Sequence, residues 1–157
     1  MRRAFAQALH EQMKQNDNIF FLTGDLGYKV FDEIMEDFPS RAFSTGAAEQ
    51  ALLDIGVGLA LEGKIPFCYT ITPFFLRGFE TIRTYMNHEN IPVHMVGSGR
   101  DKDYAHDGFS HDASDIKDFL TTMKNVTQYY PDSKDDIPAI LATIINSRNP
   151  SFLSLKR

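Results

Sequence analysis

Residues 44–74 read STGAAEQALLDIGVGLALEGKIPFCYTITPF. The stretch opens on a turn of small residues, Ser44 to Ala47. Ala48 to Glu62 follows, rich in Ala and Leu and closed by Gly63, and reads as a helix. Ile65 to Ile71 is then an unbroken apolar run, the pattern of a strand covered on both faces. Phe74 to Asn87 again has helical spacing. Helices alternating with fully apolar strands build a parallel sheet. Gly56 and Gly58 each cost the first helix about 1 kcal/mol relative to alanine, so both are expected to serve close packing.

The same alternation extends outward in both directions. Phe5, Leu9 and Met13 recur every fourth residue and predict a helix over 3–15. Ile19 to Leu22 reads as a buried strand running into Thr23-Gly24-Asp25. Val30 to Phe38 reads as a helix stopped by Pro39, and Ala42 to Thr45 as a short strand. Beyond Asn87, Val93 to Val96 reads as a strand and 97–112 as a polar loop. Asp115 to Met123 is helical, Val126 to Tyr129 a strand, Ile137 to Asn146 a helix and Phe152 to Leu155 a final strand. The expected fold is one α/β domain over 1–157, a largely parallel sheet with helices on both faces. Ligands of such sheets bind beyond the carboxyl ends of the strands.

Composition narrows the function. The chain has 157 residues, 43% of them hydrophobic, and a net charge of −5. No basic block is present, which argues against nucleic acid as a partner. No apolar run reaches the ~20 residues a membrane helix needs, and the N-terminus lacks the apolar stretch of a signal peptide. A cytoplasmic protein is expected. Cys68, the single cysteine, lies inside an apolar strand and reads as a small core residue.

Several residues could carry chemistry. Glu49 opens the helix after the small-residue turn; its plainest reading is a carboxylate placed favourably at a helix N-terminus. Asp25 ends a strand. Asp107 and His111 lie four apart in a glycine-containing loop, too few ligands for a metal site and compatible with a solvated turn. His106 adjoins Asp107. Arg100 and Arg157 carry the planar fork that suits a phosphate oxyanion, although either could be a surface arginine.

The quoted stretch resembles the pyrimidine-binding domain of the transketolase family, through Gly46-x-Ala48-Glu49-Gln50, the glycine- and alanine-rich helix, the strand and Phe74. Three further strings extend the resemblance over the chain: Thr23-Gly24-Asp25-Leu26-Gly27, Asp107-Gly108-Phe109-Ser110-His111, and the closing segment from Asn149 to Arg157. The resemblance implies thiamine diphosphate as cofactor. Glu49 would hydrogen-bond a ring nitrogen of the aminopyrimidine and favour the imino tautomer, which removes the thiazolium proton. A carboxyl beside an apolar, desolvated ring shifts toward its neutral form and can share a proton there. Phe74 would pack on the pyrimidine, with Phe75 the competing candidate. Asp25 and Arg77 would join the cofactor site. His111 would face the thiazolium and substrate, Asp107 a substrate hydroxyl, and Arg100 and Arg157 a substrate phosphate.

Arg77 and Arg100 match the deoxyxylulose-phosphate synthase branch, and Lys29 stands where transketolases proper carry a phosphate-binding serine. The resemblance also implies what the chain lacks: the domain that holds the diphosphate through Mg2+, and the family's third, C-terminal domain. A separate diphosphate-binding subunit is therefore expected, in an assembly of α₂β₂ type, with the helix over 48–62 at the shared surface. The implied activity is transfer of a two-carbon ketol unit between sugar phosphates. Other thiamine chemistries, namely deoxyxylulose-phosphate synthesis and 2-oxo acid decarboxylation, and a non-catalytic assembly module are the alternatives.

Overall fold

A computed structural model describes all of residues 1–157. Six strands form one sheet: β1 (Ile19–Thr23), β2 (Ala42–Ser44), β3 (Ile65–Ile71), β4 (His94–Ser98), β5 (Thr127–Tyr129) and β6 (Ser151–Leu155). Their order is β2-β1-β3-β4-β6-β5, and every neighbouring pair is parallel. The sheet is thus wholly parallel rather than largely so.

The helices are α1 (Arg2–Gln15), α2 (Asp32–Asp37), α3 (Glu49–Leu61), α4 (Phe79–Thr81), α5 (Ile116–Thr121) and α6 (Ile137–Asn146). They divide between the faces as strand alternation requires. Phe21, Phe67, Tyr69, Val96 and Leu153 pack against residues of α1, α2 and α6, such as Phe5, Leu9, Ile34 and Leu141. Leu22, Cys68, Met95 and Phe152 point the other way, against Leu52 and Leu53 of α3, Ile82, Met86, and Ile116 and Leu120 of α5. Cys68 is fully buried in that second core, and desolvation raises its thiol well above the usual range, so it is inert packing.

Three expectations need correction. The helix over 30–38 shrinks to Asp32–Asp37, because Lys29 takes a left-handed φ of 59° and Gly27 one of 94°. The segment 72–88 is no regular helix: a 3₁₀ stretch (Thr72–Gly78) leads through α4 into a π-helix (Ile82–His88). β4 runs on to Ser98, so the loop begins at Gly99, and it contains two short 3₁₀ turns, Ala105–Asp107 and Phe109–His111.

Gly56 and Gly58 also part company. A Cβ on Gly56 would lie 2.8 Å from Cys68 Sγ and 3.1 Å from Val93, so this glycine does let α3 approach the sheet. A Cβ on Gly58 would meet nothing within 4 Å.

Candidate functional site

Because all strands are parallel, their carboxyl ends share one edge. The chain leaves β1 for β2 on one side of the sheet and returns to β3 on the other. α2 and α3 accordingly cover opposite faces. The reversal puts the topological switch point, where such sheets bind ligands, between the ends of β1 and β3.

Local structure places Glu49 at that switch point. The Thr45 N–H donates to Thr23 O at 2.9 Å, tying the end of β2 to that of β1. Gly46, at φ 68°, turns the chain, and its N–H donates to Ser44 Oγ at 3.1 Å. Glu49 then starts α3 with its negative charge at the positive helix end. The residue is only 3% exposed. Its Oε2 accepts from Arg77 Nη1 at 2.7 Å, and its Oε1 accepts a longer bond from Thr70 Oγ1 at 3.4 Å. A Cβ on Gly24 would come within 3.2 Å of Thr70 Oγ1 and 3.7 Å of Glu49 Oε1, so the bare backbone keeps this approach open.

Arg77 reaches Glu49 from the 3₁₀ stretch after β3, where Pro73 sets the first turn. Its guanidinium carbon lies 4.1 Å from the centre of the Phe74 ring, a cation–π contact. Phe74 in turn meets His111 edge-on, ring centres 5.0 Å apart. Glu49, Arg77, Phe74 and His111 therefore form one continuous row. The neighbouring Phe75 is 3% exposed and packs edge-on against Phe152 in the core, whereas Phe74 lies in the row beside Arg77 and His111.

A second group lies beside this row. Asp107 and His111 sit on the two successive 3₁₀ turns. His106 Nε2 is 3.3 Å from Asp107 Oδ2 and 3.3 Å from Arg157 Nη1. Arg157 also lies over Tyr104, 5.2 Å from the ring centre. Sequence reasoning left His106 without a role and passed over Tyr104; adjacency to Asp107 was the only available signal, because the contact with Arg157 spans 51 positions.

Two expected residues stand apart. Arg100 does not join either group: its Nε donates to Ser154 Oγ at 3.1 Å, and its Nη2 donates to Pro131 O at 2.9 Å and Ser154 O at 2.8 Å. It braces β4 to β6 and the residues after β5, lining a cavity of about 320 Å³ with Lys117, Tyr130 and Asp132. Asp25 is exposed, two residues beyond the end of β1.

A doubly covered parallel sheet, with a buried carboxylate and a half-buried phenylalanine at its switch point, defines an α/β ligand-binding domain. This chain belongs to the transketolase family, as a transketolase pyrimidine-binding domain, and the family model matches residues 1–157. It is 28% identical over 156 residues to a 1-deoxy-D-xylulose-5-phosphate synthase of Dehalococcoides mccartyi, covering 99% of this chain and 24% of that protein. It is 26% identical over 159 residues to a transketolase C-terminal section of Methanocaldococcus jannaschii, covering 100% of this chain and 50% of that one. A solved split-gene transketolase, described as an inactive beta4 tetramer, superposes with a TM-score of 0.87 at 28% identity, covering 99% of this chain and 50% of that one. The chain thus spans between about a quarter and a half of these relatives' lengths.

Proposed function

We propose that this chain is one subunit of a thiamine diphosphate-dependent, transketolase-type transferase that moves a two-carbon ketol unit between sugar phosphates. A second chain, holding the diphosphate through Mg2+, completes the enzyme in an α₂β₂ assembly. The observation that carries this reading is the Glu49 carboxylate, buried to 3% exposure at the switch point and joined to Phe74 through Arg77. Family membership and relatives from split genes support the need for a partner.

The residues present fit an aminopyrimidine ring. Glu49 Oε1 holds only the long bond from Thr70 and retains acceptor capacity. Phe74 offers a ring for stacking, and glycine at position 24 leaves space against the carboxylate. Thiamine diphosphate, when bound, supplies the thiazolium carbon that takes up the ketol unit. Glu49 holds the proton shared with the pyrimidine ring nitrogen. Arg77 keeps that carboxylate in one rotamer, Phe74 orients the ring, and Asp25, exposed beyond the end of β1, completes the cofactor site. His111 donates to charge developing on the substrate oxygen. Asp107 accepts from a sugar hydroxyl, and Arg157 binds the phosphate. Arg100 is occupied by Ser154 and the Pro131 carbonyl and is dropped from the substrate site.

One observation favours a second reading. Arg77, bonded to Glu49, is the residue of the deoxyxylulose-phosphate synthase branch, and a synthase is among the relatives. The test begins with calorimetric titration of thiamine diphosphate and Mg2+ into the chain alone, then into its mixture with a separately expressed transketolase-type diphosphate-binding subunit from the same organism. Binding is expected only in the mixture, weakened at least about tenfold by Glu49→Ala, the worth of a charge-assisted hydrogen bond. Binding indifferent to Glu49→Ala, or absent from the mixture, overturns the proposal. Turnover with ketose phosphate donors then supports transketolase chemistry, whereas turnover with a 2-oxo acid donor supports the synthase reading.

A further inference from the structure

We propose that the Arg77 guanidinium is a stand-in for the aminopyrimidine: it holds the ring's place between Glu49 and Phe74 and is displaced when the ring binds. This role rests on the function proposed above and gives that cofactor site a resident competitor.

The contacts of Arg77 match those required of the ring. Its Nη1 donates to Glu49 Oε2 at 2.7 Å, and its guanidinium carbon lies over the Phe74 ring, 4.1 Å from the centre. The proposed function asks the same two contacts of the aminopyrimidine: an N–H aimed at the buried carboxylate and a flat π-system stacked on the phenylalanine. A guanidinium is planar and delocalised and stacks on aromatic faces. One group therefore meets both demands at once. Because it touches Glu49 as well, the face of Phe74 that it covers is the one on the carboxylate's side. Phe74 and Arg77 stand three apart in the 3₁₀ stretch after β3, a spacing at which side chains eclipse. The local backbone thus sets the guanidinium over the ring.

Burial explains why the place is held and why it can be given up. Glu49 is 3% exposed, and a buried carboxylate without a cation is costly. Arg77 supplies that cation and keeps the carboxylate in one rotamer until the ring arrives. The Arg77 side chain is 53% exposed, and its bond to Glu49 is the single hydrogen bond it makes. It can swing into water with little left behind. Arg41 shows the contrast: its side chain is 14% exposed, and it donates to the carbonyls of Asn16, Ile19 and Met13. Thr70 keeps its longer bond to Glu49 Oε1 throughout. A ligand must therefore outbid a flat cation, which favours rings that carry an N–H donor over flat rings that do not.

The test follows the arginine Nε–Hε NMR signals of the chain alone during titration with 4-amino-2-methylpyrimidine. Arg77→Lys assigns the Arg77 signal, and Arg41 serves as control. Before the probe is added, the Arg77 signal is expected to be displaced by the Phe74 ring current, and Phe74→Leu to abolish that displacement. The probe should return the signal saturably toward that of a free arginine. The affinity, read from the probe's own line widths, should be at least about tenfold weaker in Glu49→Gln. It should be at least about threefold tighter in both Arg77→Lys and Arg77→Gln. The lysine variant keeps a cation beside Glu49, so a folding defect in the glutamine variant does not decide the outcome. A signal unmoved by the probe, an equal movement at Arg41, or no gain in affinity in Arg77→Lys overturns the stand-in. Glu49-dependent cofactor binding in the two-subunit mixture, beside an Arg77 signal that the probe leaves in place, removes only the stand-in. Displacement of Arg77 by the probe, beside a mixture that never binds thiamine diphosphate, keeps the stand-in and removes the thiamine enzyme.

Discussion

Glu49 and Arg77 show what a single pair costs at a site of this kind. The carboxylate is 3% exposed while the arginine side chain is 53% exposed. Solvent screens the arginine end, which limits the net worth of the pair. Removing the two partners is therefore unequal. Arg77→Ala leaves a buried charge without its cation, whereas Glu49→Gln leaves an arginine that water can solvate. Arg77→Ala is expected to destabilise the isolated chain by about 1 kcal/mol or more beyond Glu49→Gln, read from urea midpoints at constant m-value. His94 is a second buried group with a measurable signature. It lies in β4 with Nδ1 3.0 Å from Ser151 Oγ, and burial pushes its pKa down from 6.5 to about 3. The native state keeps this histidine neutral while the unfolded chain binds a proton below about 6.5. The lowered native pKa makes its contribution complete above that pH and progressively lost as pH falls toward about 3. The slope reaches at most about 1.4 kcal/mol per pH unit. Urea unfolding of the wild type at several pH values in this window should show a steeper decline than His94→Gln; parallel declines would contradict the assignment.

At the scale of elements, α3 carries two glycines with opposite consequences. Gly56 faces Cys68 and Val93 at distances no Cβ tolerates without movement, and both neighbours are buried. Gly56→Ala is expected to lower stability by about 1–3 kcal/mol through overpacking. Gly58 faces open space, so Gly58→Ala should raise the stability of the isolated chain by up to about 1 kcal/mol through helix propensity. A thermal melt of both variants separates the two effects, and changes of the same sign would refute this account. The segment 72–88 departs from a regular helix for related reasons. A Cβ on Gly78 would lie 2.6 Å from Leu53, so the chain presses tightly on α3 just where the 3₁₀ stretch ends. That path also brings Arg77 to Glu49 and Phe74 to His111.

For the whole molecule, the unresolved demand is burial of an apolar surface. Ile55 and Leu61 on α3 are 39% and 69% exposed, and Phe79 and Tyr85, on the segment packed beside it, are 39% and 45% exposed. In the proposed assembly the partner chain covers this face. Ala51 and Asp54 lie on it, and both are exposed. Asp54 also accepts a hydrogen bond from Thr81 Oγ1 at 2.5 Å, so a change there disturbs the contact between α3 and α4 as well. Ala51→Arg combined with Leu61→Glu is the cleaner probe. It is expected to abolish association with the diphosphate-domain chain in analytical ultracentrifugation while leaving the circular dichroism spectrum unchanged. Association that survives the double substitution would place the interface elsewhere.

Pattern alone determined the alternation of apolar strands and helices, the parallel sheet and the turn that launches Glu49 into α3, because each follows from neighbours within a few residues. The strings through Gly46 to Gln50 and Asp107 to His111 also marked where polar chemistry would gather. Tertiary structure decided what depends on distant approach. It buried Phe75 against Phe152 and left Phe74 half-buried, a difference only packing reveals. It retired Arg100 into a brace across Ser154 and Pro131, and brought His106 to Arg157. It also separated Gly56 from Gly58, which have the same local cost but different surroundings. Local spacing sets which backbone conformations are cheap, whereas the partner of a side chain is set by chain closure over tens of residues, which no local pattern encodes.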